Sequence, residues 1–153
     1  MSKADDYWEQ FLATHPAGDS IRTETYVAEH FGDSPALADE LAALIESGRK
    51  TATCSALWEW EAEGSPIPKI GLKSIVLDGR DEPVCIIETT EIVIRPYNEV
   101  DAQFAAEEGE GDLSLAYWRE AHWRFFTRTL SNINKMPALD MPLVCERFRV
   151  IYR

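Results

Sequence analysis

Gly48-Arg49-Lys50-Thr51-Ala52-Thr53 stands where two kinds of pattern meet. Upstream, Leu37, Leu41, Leu44 and Ile45 recur at helical spacing. Ser34-Pro35 offers that helix a capping hydroxyl and a proline suited to its first turn. Gly48 supplies the left-handed residue that commonly ends a helix. Downstream, 51–55 reads as a strand. Side chains two apart on a strand share a face, so Lys50 and Ala52 point one way and Thr51 and Thr53 the other. A bend, or a strand that begins one residue later, brings Lys50 and Thr53 to one pocket. An amine beside a hydroxyl is a base–nucleophile pair. The lysine serves as a base only if burial or a neighbouring cation such as Arg49 lowers its pKa. The competing reading is an exposed charge favoured by the helix dipole.

Outward from this junction, 6–14 reads as a short helix carrying Tyr7, Trp8, Phe11 and Leu12, ended by His15-Pro16. The alternation of Ile21, Thr23, Thr25 and Val27 favours an extended segment over 20–31. On the other side, 57–63 reads as a short helix or turn and 64–71 as a loop. Strands follow at 73–77 and 83–94, joined by a hairpin at Asp78-Gly79. One or two helical turns fit 102–107, and an acidic, flexible loop fits 108–112. A long helix spans 114–130, and a strand at 143–152 closes the chain. Strands and helices do not alternate as βαβ units, which argues against a doubly wound parallel sheet. The pattern favours the α+β class: a small, partly closed β-barrel with flanking helices.

A chain of 153 residues suggests one domain. No stretch approaches the roughly 20 apolar residues of a membrane helix. The N-terminus is polar and acidic, unlike a signal peptide. Cys54, Cys85 and Cys145 are odd in number, lack metal-ligand spacing and sit among β-type residues. They read as reduced, buried thiols of a cytoplasmic protein. The formal net charge of −12 repels a long polyanion unless basic residues form a local patch. Arg49, Lys50, Lys69 and Lys73 are the candidates for that patch. A small or locally bound substrate therefore fits better than extended duplex.

Other chemistry is sparse. Glu107-Glu108-Gly109-Glu110-Gly111-Asp112 gathers oxygen ligands, but it lacks a calcium-loop pattern and reads first as a solvated loop. His122 shares a helix side with Trp118 and Phe126 and reads as a packed histidine. Tyr117 and Trp123 point away from that side and are freer to stack on a base. There is no Gly-rich phosphate loop, no Gly-x-Ser-x-Gly elbow and no His-Glu-x-x-His.

The 48–53 stretch, with Phe31-Gly32-Asp33-Ser34-Pro35 before it, resembles the ASCH domain, a small β-barrel related to the PUA domain of RNA-modifying and RNA-binding proteins. Pro68-Lys69-Ile70-Gly71, Ile87-Glu88-Thr89-Thr90-Glu91, and Glu108 to Asp112 followed by Ser114-Leu115-Ala116-Tyr117-Trp118-Arg119 carry the resemblance further. It covers 26–153 and points to the longer bacterial branch of the family, with 1–25 as a helical extension packed on the domain. It implies a cleft beside the barrel for a nucleobase or single-stranded RNA. In a shorter branch, a lysine and a threonine of this turn act with a distant glutamate to hydrolyse the amide of acetylated cytidine. Lys50 and Thr53 match the first two. Glu110 is the choice for the third, with Glu108 its rival and a binding role for Glu108 and Tyr117.

On this reading Lys50, lowered in pKa, takes the proton of Thr53, and Thr53 attacks the acyl carbon. No cofactor is required. Lys50→Ala is expected to abolish turnover and leave the melting temperature nearly unchanged. Other members of the longer branch imply a ribonuclease assisted by a divalent metal, with Arg49 or Lys73 holding phosphate. A non-catalytic RNA-binding module is the third implication. RNA or a nucleoside is the expected partner, and no membrane is.

Overall fold

The computed structural model describes residues 2–153. In chain order the elements are α1 (Lys3–Leu12), β1 (Val27–His30), α2 (Pro35–Glu46), β2 (Ala52–Ala56), α3 (Leu57–Glu63), β3 (Lys73–Leu77), β4 (Pro83–Pro96), α4 (Ala102–Glu107), α5 (Leu115–Leu130) and β5 (Pro142–Tyr152). The strands form one sheet in the order β1-β3-β4-β5-β2. β1 runs parallel to β3, and every other neighbouring pair is antiparallel. The long β4–β5 ladder shifts register at Ile86/Ile87 and again between Thr89 and Glu91. Such irregularities bend and twist a strand, and the sheet curls into a half-barrel. β2, which carries Thr53, is one edge of it.

The centre of the sheet is covered on both faces, which explains the near-continuous apolar runs of β3 and β4. Ile75 and Ile86, cross-strand partners, pack against Trp8, Phe11 and Leu12 of α1. Val76 and Cys85, the next pair along, face Leu41, Ala42 and Ile45 of α2. At the β2 edge, Ala52, Ala56, Leu143 and Cys145 meet Phe104 of α4 and Trp118, Phe126 and Leu130 of α5. Each large apolar side chain fully buried in this way contributes about 1.5–3 kcal/mol. Two alanines in β2 leave room for the bulky α5 side chains to approach.

The extended segment expected over 20–31 is only partly extended. Asp19 accepts a hydrogen bond from the Ile21 amide, and Ser20–Thr23 closes into a 3-10 turn before β1 begins at Val27. Local capping by Asp19 overrides the period-two pattern there. Cys85 and Cys145 are buried free thiols, and Cys54 is half-buried. No helix among the described residues is long and apolar enough to cross a membrane.

Candidate active site

α2 delivers Lys50 to the edge of the sheet through a tightly bonded stop. The Gly48 amide bonds the Ile45 carbonyl, and the Arg49 amide reaches back to Leu44. Gly48 adopts φ +82°, so this is the Schellman ending that its position in the sequence suggested. The Lys50 amide also bonds Leu44, and the Thr51 amide bonds the Glu107 carbonyl at 2.8 Å. β2 starts at Ala52, the later start that lets Lys50 and Thr53 converge.

The acidic loop lands on this junction. Gly109 has φ +74°, and a Cβ built there would lie 2.5 Å from the Arg49 carbonyl oxygen. Only glycine allows the two backbones to come this close. Its neighbours Glu108 and Glu110 therefore reach Lys50 together. Lys50 Nζ donates to Glu108 Oε1 at 2.9 Å, to Glu110 Oε2 at 3.1 Å and to the Glu108 carbonyl at 3.3 Å. Glu108 is 1% exposed and Gly109 is buried, so only the end of the loop, Gly111 and Asp112, is solvated as its composition suggested. The glycines dock it rather than loosen it.

Lys50 is itself 1% exposed. Burial alone would push its pKa down, but Glu108 and Glu110 outweigh burial and raise it. An ammonium has three N–H donors, and all three have acceptors here. The lowered pKa expected for Lys50 is thus overturned: the residue is dry, as a tuned base must be, yet it is held in its charged form. The melting temperature cannot be indifferent to its loss either, because two carboxylates depend on it. Glu108 is pushed up by burial, but Lys50 and His122 more than reverse this and hold its carboxyl below the usual range.

His122 belongs to the same network. Its Nδ1 lies 2.9 Å from the Trp118 carbonyl and its Nε2 3.2 Å from Glu108 Oε2. Both partners only accept, so both ring nitrogens donate and the ring is an imidazolium, assigned from its partners. It stacks on the Trp118 indole with centroids 4.3 Å apart. The Trp118 indole N–H also donates to Glu108 Oε2. Burial pushes the His122 pKa down, and Glu108 overrides it, for a net rise. A group raised on folding stabilises fully below its unfolded pKa of about 6.5, and the contribution is lost as pH rises through the folded value. The Glu108 contribution has the opposite sign: it is full above the unfolded carboxyl value of about 4.3 and is lost progressively as pH falls below it. The melting temperature should therefore fall above about pH 7, and His122→Gln should flatten that fall. Thermal melts from pH 5 to 9 check this; equal slopes in both proteins would refute it.

Above these charges opens a cavity of about 230 Å³. Phe31, Leu37 and Leu41 form its apolar wall, Thr53 and Cys54 of β2 its side, and Lys50, Glu108 and Glu110 its floor. Tyr117 and His122 of α5 also line it, together with the exposed Arg124 and Arg128. Gly111, φ +59°, lies against the Tyr117 ring, where a Cβ would come within 2.4 Å. Lys50, Thr53, Glu108, Glu110 and Tyr117 thus meet. Arg49 and Lys69 are exposed and do not line the cavity. Lys73 is buried between Glu24 and Glu88, at 3.1 and 2.9 Å.

Sequence reasoning missed Cys54, Arg124 and Arg128 and took His122 only for packing. A signal existed: Tyr117, Ala121, Arg124 and Arg128 recur at helical spacing and form one stripe of α5 facing the cavity.

A divalent ion finds little here. Glu110 is bonded to Lys50, and Asp112 accepts from the Ser114 amide. Among the described residues, one group has ligand atoms within 4.8 Å of one another: Cys54, Glu108 and His122. A thiol does not suit the hard cations that assist phosphoryl chemistry, and both Glu108 oxygens are already occupied. These residues do not fit the metal of a metal-assisted nuclease.

The model of the ASCH domain matches residues 27–152. The chain belongs to the ASCH domain family. The ASCH domain of Lactobacillus crispatus JV V101 superposes with a TM-score of 0.92 at 36% identity, covering 99% of this chain and 95% of that one. Protein EF3133 of Enterococcus faecalis V583 gives 0.86 at 38% identity, covering 98% and 88%. No curated protein matches the chain. The ASCH family is associated with RNA-related function. The family match begins at β1, and the whole-chain superposition includes α1.

Proposed function

We propose that this ASCH-domain protein hydrolyses the amide of a small acylated nucleoside of the acetylated cytidine type. The observation that carries the reading is the meeting of Thr53, Glu110 and a desolvated, charged Lys50 at one cavity of about 230 Å³. That volume is below the roughly 300–1,000 Å³ of sites that bury drug-sized ligands. It suits a single base and its acyl arm. The charge of −12 favours the same choice.

The raised pKa of Lys50 redistributes the roles. Thr53 Oγ1 attacks the acyl carbon and its proton passes to the Glu110 carboxylate. The charge of Lys50 balances the oxyanion of the tetrahedral intermediate. Collapse breaks the C–N bond, and Glu110 gives the proton to the departing amine. A water deprotonated by Glu110 then attacks the acyl-threonine; the ester bond to Thr53 Oγ1 breaks, Glu110 returns the proton to that oxygen, and the carboxylic acid leaves. His122 holds Glu108, Glu108 holds Lys50, and Lys50 in turn holds Glu110.

Incubation with N4-acetylcytidine should release cytidine, read by chromatography. Thr53→Val, which keeps shape and removes the oxygen, should slow release by roughly 10³-fold or more. The rate should not climb between pH 8 and 10, as it would if a lysine had to lose its proton. Intact substrate after long incubation would sink the reading. Cleavage of labelled single-stranded RNA would then favour a ribonuclease, a reading that draws on Arg124 as a phosphate-suited cation at the cavity edge, Arg128 being held by Asp33 at 2.9 and 3.3 Å. RNA that is bound but left whole would make the protein a reader.

A further inference from the structure

A second hollow of about 570 Å³ lies along α5 beside the cavity and shares Arg124 with it. Its base is aromatic: the half-buried Trp123 meets Tyr97 edge-on, with centroids 5.3 Å apart. The Tyr97 hydroxyl donates to the Arg119 carbonyl at 2.6 Å, which fixes the tyrosine wall against the helix. Leu139, 63% exposed, closes the far side. Two guanidiniums border it. Arg124 pairs with Glu120 at 3.2 Å, while Arg119 has no carboxylate partner among the described residues.

The charge of this helix departs from that of the other helices. α5 carries Arg119, Arg124 and Arg128 against Glu120 alone, whereas each of the other four helices is net negative. An apolar aromatic floor with a free guanidinium, bordered by an arginine that also lines a base-sized cavity, is the composition that holds a stacked base and its phosphate. A long duplex would meet the acidic remainder of the surface; a strand of two or three nucleotides would not.

We propose that this groove is a second nucleotide subsite, and that the ligand is a short single strand of RNA. One base enters the cavity, its neighbour stacks on Trp123, and the phosphate between them lies at Arg124 with the next at Arg119. This rests on reading the cavity as a nucleobase site and extends the substrate from a nucleoside to a nucleotide within a strand.

The test uses a fluorescein-labelled cytidine hexanucleotide, read by anisotropy across a salt series. Arg119→Glu, an exposed change, should weaken binding about tenfold and reduce the slope of log affinity against log salt by about 0.7. Trp123→Leu should weaken binding about tenfold with the slope unchanged. Hexanucleotide affinity and slope that neither variant alters would overturn the proposal, as would no binding by the unmodified protein. So would a dimer in light scattering that Arg119→Glu dissociates, which would make the groove an interface between copies. Acetylated cytidine turnover is scored separately. Its absence, with hexanucleotide binding weakened in both variants as expected, would sink the amide reading and leave the subsite standing.

Discussion

Lys50→Met should unfold the protein roughly 10 °C below the unmodified chain. Methionine keeps the length and apolar stem of lysine, so packing is nearly preserved and the change isolates the charge. What remains is Glu108, fully buried, facing His122 on one side and an apolar thioether on the other. Removing one member of a buried ion pair costs about 3–5 kcal/mol, because the partner's charge is left without compensation. For a chain of this length each kcal/mol moves the melting temperature by about 2–4 °C. Lys50→Met combined with Glu108→Gln should recover part of the loss, a coupling of about 1–3 kcal/mol between the two sites. Calorimetry of the two single variants and the double variant measures it. Strictly additive losses would mean that Lys50 and Glu108 do not depend on each other.

The second large effect is at a residue with no side chain. Gly109→Ala combines a backbone conformation that L residues rarely adopt with a Cβ 2.5 Å from the Arg49 carbonyl oxygen. The obstacle is backbone, not the tip of a flexible side chain, so the loop must lift. We expect a loss of about 2–4 kcal/mol, more than the roughly 1 kcal/mol of φ strain alone. Gly64→Ala is the control: its φ is +69°, and nothing lies within 4 Å of an added Cβ. If the two variants melt together, the contact between Gly109 and Arg49 has no energetic weight. Gly109→Ala should also reduce turnover of acetylated cytidine more than its stability loss accounts for, since Glu108 and Glu110 shift with the loop.

The parts of the fold written in local chemistry were legible. Ser34-Pro35 and Gly48 bracket α2, Ser114 caps α5 by accepting from the Tyr117 amide, and the Asp78-Gly79 turn joins β3 to β4. Strand order was not, because nothing local to 52–56 says that its partner is 142–152. The site divides the same way. Thr53 and Lys50 are close in sequence and a strand start decides their convergence. The charge state of Lys50 depends on carboxylates 58 and 60 residues away, and spacing alone carries no trace of them. Arg49, Lys69 and Lys73 had the right charge for a binding patch, but a turn, an exposed loop and a pair of glutamates claim them instead. The helical spacing of Trp118, His122 and Phe126 marks His122 as packed, and it is; its second role comes from the two acceptors that face its ring nitrogens.

The position of β5 between β4 and β2 bears on how the molecule is made. β2 has no other neighbour in the sheet, so Thr53 sits on an orphan ribbon until 142–152 has been synthesised and has slotted into the gap. A fragment that stopped short of residue 142 would present two open hydrogen-bonding edges, one on each side of the missing strand, and such edges invite intermolecular pairing. Truncated translation products should therefore clump rather than persist as partly active species.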